Sequence, residues 1–329
     1  MQSVPTSPRT TALVALATLF ITVSILACGD GPTGTRSQLT GEIAFASNRD
    51  GASYGIYLTD AAGTRVTLLT KTQNIPFCLS WSPDGSRLAF AETLDKRDQI
   101  LVLDVAAGSQ TQITQGPLFN TCPAWAPDGR HIAYYSGEQA NAPGGFDPGY
   151  PRRWRMILMA PDGSAATAIA NRDYIPNPTS WSPDGTQLIA ERVSDFTLVI
   201  VDVASGAEVA SLAATPPAWW PTWSPDGETI AFSSQQRGDL AVYSIRRDGT
   251  AQRRLSPDTV GGNTAANWSP DGKRIVFQQL FDTRADPADP KSALVTNWEI
   301  VIANADGSNP VNITRHVAND EGPVWRPRR

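Results

Sequence analysis

The chain has 329 residues, 41% of them hydrophobic, with 27 Lys and Arg against 32 Asp and Glu and a net charge of −5. Mild acidity without a basic stripe argues against a nucleic-acid-binding protein. The sequence contains only two histidines, which excludes a metal site built on several imidazoles.

The first 27 residues predict a secretory signal peptide. Met1 to Thr11 is polar with one cation, Arg9, and residues 12–27 are apolar but short for a membrane span. Cys28 follows a small residue, as at a bacterial lipoprotein processing site, so we expect Cys28 to become the lipidated N-terminus. An ordinary signal peptide followed by an incidental cysteine is the alternative.

Residues 28–40 then form the lipidated cysteine and a tether. The stretch after Cys28 is rich in Gly, Thr and Ser, a composition typical of flexible linkers. No later apolar run is long enough to span a bilayer. We therefore expect residues 41–329 to form the folded domain and the lipid to be its only membrane attachment.

The folded domain repeats one pentapeptide, Trp-x-Pro-Asp-Gly. Proline presets φ in a tight turn, aspartate accepts backbone N–H groups, and glycine takes the position with φ > 0, so the motif predicts a hairpin turn. The steps between successive tryptophans are 44, 56, 42, 45 and 57 residues, the size of one propeller blade. The repeated tryptophans, counting a truncated last copy, are Trp81, Trp125, Trp181, Trp223, Trp268 and Trp325.

Each repeat continues with short strands separated by turn signals. A strand such as Leu88-Ala89-Phe90 follows the pentapeptide, and a third strand ends six times in a second glycine turn, as at Asp60 to Gly63. No helical periodicity is present, so the pattern predicts an all-β protein.

The five in-register pentapeptides and the strands after them resemble the TolB-like β-propeller repeat family, a relative of the WD-type repeat, over roughly residues 41–327. The resemblance implies a six-bladed β-propeller in which the repeated Trp, Asp and Gly residues pack the blades and shape the turns. The first blade lacks its own Trp-x-Pro motif, and the last motif lacks a blade. We therefore expect a C-terminal strand at Pro323–Arg326 to pair with the N-terminal strands and close the ring.

Cys78 and Cys122 each lie three residues before a repeated tryptophan, in adjacent blades. An even cysteine count in an oxidising compartment favours a disulfide. Inner strands converge near the axis of a propeller, so we expect the Cα spacing to suit a bridge. Two buried free thiols are the alternative.

Two enlarged loops, at residues 136–153 and 279–297, are predicted between the second and third strands of the third and sixth blades. Variable loops of a repeat protein usually carry binding, and aromatic and arginine residues are frequent anchors of binding surfaces. We therefore predict a binding rim on that side of the ring. Its candidate residues are Phe77, Phe119, Phe146, Tyr150, Arg152, Arg153, Trp219, Trp220, Phe281 and His316.

No catalytic residues, metal or cofactor are expected. His131 and His316 fall in different blades and at opposite rims, so no Ser-His-Asp set is supported. The hypothesis is a monomeric, lipid-anchored, non-enzymatic propeller of the bacterial cell envelope that faces the periplasm and binds an envelope protein or peptide. TolB docks envelope proteins on its propeller, although we expect no room here for the α/β domain that precedes that propeller.

The alternative is a glycan-binding module, or a small propeller lyase or hydrolase, acting on envelope or extracellular polysaccharide. Fold alone does not decide between these functions. A cluster of acids at the channel mouth would favour the alternative, and a stable protein partner would favour the first hypothesis.

Overall fold

The computed structural model describes residues 42–51, 53–137, 154–169, 173–212, 217–258, 262–284, 291 and 294–327. Over these ranges the chain forms six four-stranded antiparallel sheets. The innermost strand of each sheet contacts the innermost strand of the next, around a closed ring. The predicted six-bladed β-propeller is confirmed.

The strands of each blade, from the innermost to the outermost, are as follows: in blade 1, β24 (Asp320–Trp325), β1 (Ile43–Ser47), β2 (Gly55–Thr59) and β3 (Val66–Lys71); in blade 2, β4 (Phe77–Trp81), β5 (Arg87–Leu94), β6 (Arg97–Asp104) and β7 (Gln110–Gln112); in blade 3, β8 (Phe119–Trp125), β9 (Ile132–Gly137), β10 (Trp154–Met159) and β11 (Thr167–Ala168); in blade 4, β12 (Tyr174–Trp181), β13 (Gln187–Arg192), β14 (Leu198–Asp202) and β15 (Glu208–Ser211); in blade 5, β16 (Ala218–Trp223), β17 (Thr229–Ser234), β18 (Ala241–Arg246) and β19 (Arg253–Arg254); in blade 6, β20 (Asn263–Trp268), β21 (Arg274–Arg284), β22 (Leu294–Asn304) and β23 (Val311–Asn312).

The repeated pentapeptide forms the turn between the first and second strands of a blade. In blade 2 the Gly85 N–H donates to the Ser82 carbonyl at 2.8 Å, and Gly85 has a φ of 64°. The Ser82 hydroxyl donates to Asp84 Oδ1 at 2.6 Å. This hydrogen bond and the backbone N–H of Ser86 lower the pKa of Asp84 to about 2. Local chemistry alone therefore builds this hairpin, as the sequence predicted.

The repeated tryptophans are buried between neighbouring blades, where each exposes only 6–8% of its surface. Trp181 Nε1 donates to the Ala124 carbonyl of the preceding blade at 3.0 Å. At another interface the Trp125 N–H donates to the Ser80 hydroxyl at 2.8 Å, and the Arg87 guanidinium lies 4.7 Å from the centre of the Trp125 ring. Trp125 and Trp181 thus join neighbouring blades through packing and polar contacts.

The C-terminal strand closes the ring. β24 pairs with β1 in antiparallel register, with Ile43 opposite Trp325 and Ser47 opposite Asp320. The Arg326 N–H also donates to the Glu42 carbonyl. The closing strand therefore runs over Asp320–Trp325, three residues longer at its start than the predicted Pro323–Arg326. Closure therefore pairs the inner edge of β1 with β24, which becomes the innermost strand of the blade.

The ring has two faces. We call the side that carries the pentapeptide turns the turn face. The opposite side carries the connections between second and third strands and the entries to the innermost strands, and we call it the rim. In the described ranges no helix is long and apolar enough to cross a membrane. The predicted signal peptide, Cys28 and the tether lie outside the described residues.

Candidate binding rim and channel

Each innermost strand is irregular at the third residue before its tryptophan. In five blades this residue has a left-handed backbone, with φ between 49° and 59°. The register of each innermost strand shifts at this point, as a β-bulge does. The residues at this position are Cys78, Cys122, Trp220, Ala265 and Gly322, with Pro178 at the same place in blade 4.

The two cysteines therefore occupy equivalent bulges in blades 2 and 3. Their Cα atoms are 4.8 Å apart and their sulfur atoms are in bonding contact. This Cα separation lies within the range that disulfides span. Cys122 is buried, with 3% of its surface exposed, whereas Cys78 is partly exposed and lies on the axis side. That the two cysteines are oxidised in the cell stays a prediction.

The innermost strands enclose an open central channel of about 510 Å³. Ile75 and Phe77 line it near the rim, and Pro327 lines it near the turn face. Its polar lining residues include Asp98, Asn177, Asn267, Gln278 and Glu321. A cavity of this size with apolar walls and a few polar groups is typical of a ligand site.

Two of the channel-lining residues are carboxylates with no cationic partner among the residues that the structure describes. Asp98 is 4% exposed and accepts one hydrogen bond, from Thr93 Oγ1 at 2.8 Å. Glu321 makes no hydrogen bond or ion pair to any residue in the described part of the chain. Burial raises the pKa of both carboxyl groups, and the neighbouring Asp320 raises that of Glu321 further.

A third acid lies behind the channel wall in blade 4. Glu191 is 1% exposed, and its Oε2 accepts from Asn177 Nδ2 at 2.5 Å. Its Oε1 has no hydrogen-bond partner among the described residues. Burial raises the pKa of Glu191 to about 7. Glu191 thereby fixes the side-chain amide of Asn177, which lines the channel.

The predicted rim residues separate into distinct environments. Phe77 of blade 2 and Trp220 of blade 5 line the channel, and Trp219, which precedes Trp220 in the same strand, is half-buried. Phe119 is only 7% exposed, and its ring packs edge-on against Trp154 with 6.5 Å between ring centres. Phe119 therefore belongs to the core of blade 3 and is not available at the rim surface.

Two further candidates lie in blade 6 and at its exit. Phe281 is half-buried against the blade 6 core. The His316 N–H donates to Glu299 Oε1 at 2.8 Å, and its Nδ1 accepts from the Ala318 N–H at 3.1 Å. His131 instead contacts Asp128 in a turn on the opposite face. The remaining candidates, Phe146, Tyr150, Arg152 and Arg153, lie outside the described residues.

The prediction of an enlarged loop at residues 279–297 is corrected in part. β21 continues to Arg284 and β22 begins at Leu294, and the two strands stay paired up to Arg284 opposite Leu294. This part of blade 6 is a projecting β-hairpin, because pairing satisfies backbone groups that a loop would leave to water. The other predicted loop, 136–153, starts within β9, and residues 138–153 lie outside the described part.

Several exposed apolar side chains on the rim were not predicted. Ile75 is 46% exposed at the entry to blade 2, Phe196 is 48% exposed in the β13–β14 hairpin, and Leu294 is 59% exposed on the projecting hairpin of blade 6. They belong to blades 2, 4 and 6, and Ile75 also lines the channel. Ile75 and Phe196 lie in connections between strands, which was the only signal in the sequence.

No group of three or more His, Cys, Asp or Glu residues in the described ranges is placed to hold a metal ion. The side chains that line the channel and are suited to contact a ligand include aromatic, apolar and carboxylate groups.

Comparison with known proteins decides the family. The TolB beta propeller domain family matches residues 32–143 and 147–285. The chain belongs to this family. Among curated relatives, the TolB homolog of Chlorobium luteolum is 26% identical over 222 residues, covering 66% of this chain and 47% of that protein. The chain thus matches less than half the length of that relative.

Solved structures agree with the TolB propeller fold. TolB from Acinetobacter baumannii has a TM-score of 0.68 and 18% identity, covering 90% of this chain and 68% of that chain. An oligogalacturonate lyase in complex with manganese has a TM-score of 0.51 and 17% identity, covering 86% of this chain and 75% of that chain. At such identities the likeness shows the fold alone.

Proposed function

We propose that this TolB-type propeller is a non-enzymatic, envelope-associated binding protein that docks a protein partner on its rim, and that lipidated Cys28 anchors it to the membrane. The observation that mainly supports this proposal is the presence of exposed apolar side chains on the rim. Ile75, Phe196 and Leu294 are each 46–59% exposed, and Ile75 also lines the channel. Exposed apolar side chains on one face, beside an open channel, favour a contact site for another protein.

Membership of the TolB propeller family supports an envelope role. The shared architecture alone does not name the partner, because one fold serves many functions. The exposed apolar residues Ile75, Phe196 and Leu294 favour a macromolecular partner over a small solute, since they are spread over three blades.

Photocrosslinking in the bacterial envelope tests the proposal. A photoreactive amino acid at Phe196 or Ile75 should capture a discrete protein. The same residue at Thr186, which is exposed on the turn face of blade 4, should not. Equal capture from both faces, or none from the rim, would refute docking on the rim. Replacement of Cys28 by Ala should release the protein from the membrane fraction if the cysteine carries the lipid.

A second candidate function is a module that binds or cleaves a glycan. The presence of two carboxylates, Asp98 and Glu321, in the channel lining favours it, because most glycosidases use two carboxyl groups. Purified protein should then bind or depolymerise envelope polysaccharide, and Asp98→Asn should abolish that activity. The oligogalacturonate lyase shares only the fold and names no substrate for this chain.

A further inference from the structure

The rim-side end of the channel carries two acids that form no ion pair with any cation in the described ranges. Asp98 begins the third strand of blade 2, and Glu321 lies in the innermost strand of blade 1, which is the neighbouring blade. Both side chains line the same channel. We call Asp98 and Glu321 the channel carboxylates.

The two carboxylates are held in place from the protein side. Thr93 Oγ1 donates to one oxygen of Asp98, and Gln278 Oε1 accepts from the N–H of Gly322 at 2.7 Å. The second bond fixes the backbone directly after Glu321. The other oxygen of Asp98 has no hydrogen-bond donor among the described residues. Asp98 is therefore an almost fully buried channel-lining side chain, and one of its oxygens accepts no hydrogen bond from the described residues.

This arrangement is costly unless a ligand completes it. Buried charges in proteins are normally paired or neutralised. Here burial without a nearby cation raises the pKa of both carboxyl groups. Both carboxylates are already positioned and partly desolvated before a cation binds. Such preformed acceptors contribute to the choice between a cationic and a neutral partner.

The walls beside the channel carboxylates indicate which cation fits. Ile75 and Phe77 line the same end of the channel, and Ile75 is 46% exposed. A lysine or arginine side chain combines a cationic head with an apolar stem that packs along such a surface. Calcium needs 6–8 oxygen ligands, and the described residues offer no group of three metal-binding side chains.

We infer that the channel mouth recognises a lysine or arginine side chain, flanked by apolar residues, on the protein that docks on the rim. This inference rests on the proposed function and adds the chemistry of the partner. The cationic head reaches Asp98 and Glu321, and the flanking apolar residues contact Ile75 and its neighbours on the rim.

Labelled pentapeptides of one sequence test the inference. Capped Gly-Leu-Lys-Leu-Gly and its norleucine analogue differ only in the charge at the centre, and fluorescence anisotropy measures their binding to the whole folded protein. The lysine peptide should bind at least 10-fold more tightly in 50 mM salt, and 0.5 M salt should reduce this preference. Both figures are order-of-magnitude expectations for a partly buried ion pair.

The double variant Asp98→Asn with Glu321→Gln should lose the lysine preference and change norleucine binding less than about 2-fold. Asp282→Asn, which alters an exposed carboxylate on the projecting hairpin of the same rim, is the matched control and should keep the preference. Thermal unfolding checks that each variant is folded, and the two single variants provide a second measurement if the double variant is not.

Several outcomes would overturn the inference. They are equal binding of the two peptides, a lysine preference that survives in the double variant, or carboxylate-dependent binding of calcium or of a neutral oligosaccharide instead of the peptide. The envelope crosslinking experiment distinguishes failure of this inference from failure of the proposed function. If Phe196 captures the same protein in wild type and in the double variant with equal yield, only the inference fails. If the rim captures no protein, the proposed function fails.

Discussion

Arg49 Nη2 lies 2.8 Å from Asp320 Oδ2, although the two residues are 271 positions apart in the chain. The Asp320 side chain is fully buried and that of Arg49 is 12% exposed. The guanidinium also lies 5.1 Å from the ring centre of Phe45. Arg49 belongs to the β1–β2 connection and Asp320 begins β24, so this ion pair joins the two ends of the propeller inside blade 1.

Breaking this pair should destabilise the ring. Arg49→Met leaves Asp320 as a buried carboxylate without its cation, and removing one partner of a buried pair typically costs about 3–5 kcal/mol. Denaturant unfolding measures the loss. Asp195→Asn is the control, because it removes a surface carboxylate from Arg192, which keeps Glu208 as a second partner, so its loss should be much smaller. Equal losses in the two variants would contradict a special role for the closing pair.

Deleting the closing strand should unfold the domain. A chain that ends after Asn319 lacks β24, which exposes the inner edge of β1 and removes Trp325 from its interface. The loss should exceed the margin of about 5–15 kcal/mol that stabilises a typical domain. Circular dichroism and thermal unfolding provide the measurement. A chain that ends after Pro327 keeps all of β24 and should melt as the full chain does. An unchanged transition after removal of β24 would disprove closure.

Cys78 and Cys122 should be oxidised in protein isolated from the envelope. Intact mass after alkylation, with and without prior reduction, gives the answer directly. The cysteines are 44 residues apart, and a bridge closing such a loop typically contributes about 2–4 kcal/mol. Reduction should therefore lower the stability of wild type and leave a double Cys→Ser variant unaffected. Two thiols alkylated without reduction would disprove the bridge.

Stability should rise as the pH falls, in part through Glu191. Its pKa in the folded protein is about 7 against an ordinary value of 4.5. Between these values the folded state binds a proton that the unfolded state does not. The free energy of unfolding therefore falls as the pH rises through this window, by about 1–3 kcal/mol from this group. Glu191→Gln keeps an acceptor for Asn177 and should flatten that part of the profile, measured by denaturant unfolding from pH 4.5 to 8. If the free energy of unfolding of the variant depends on pH as that of wild type does, other groups cause the pH dependence.

Much of the architecture could be predicted because its causes are local. The turn from Ser82 to Gly85 forms through its own hydrogen bonds, and repetition of that turn marks the start of each second strand. The truncated motif at Trp325 likewise indicated closure, because a blade without its first strand needs one from elsewhere. These predictions depended on residues close together in the chain.

The bulges of the innermost strands and the hairpin of blade 6 could not be predicted from the sequence repeat. The bulge before each tryptophan accepts cysteine, tryptophan, alanine and glycine with φ between 49° and 59°, so residue type carries no signal for it. The projecting hairpin of blade 6 was predicted as a loop because its residues lack a clear alternation of polar and apolar side chains. Pairing between Phe281 and Asn297, and not propensity, makes them strand.

The amino-acid sequence by itself determined the number of blades, their turns and the strand that closes them, since tight-turn geometry and strand alternation are set by neighbouring residues. Only the tertiary structure decided which polar groups are buried and which are paired. Arg49 forms an ion pair with Asp320, whereas no cation in the described ranges forms an ion pair with Asp98 or Glu321. Burial and pairing depend on where strands from distant parts of the chain converge, and ring closure brings the rim ends of these strands around one channel.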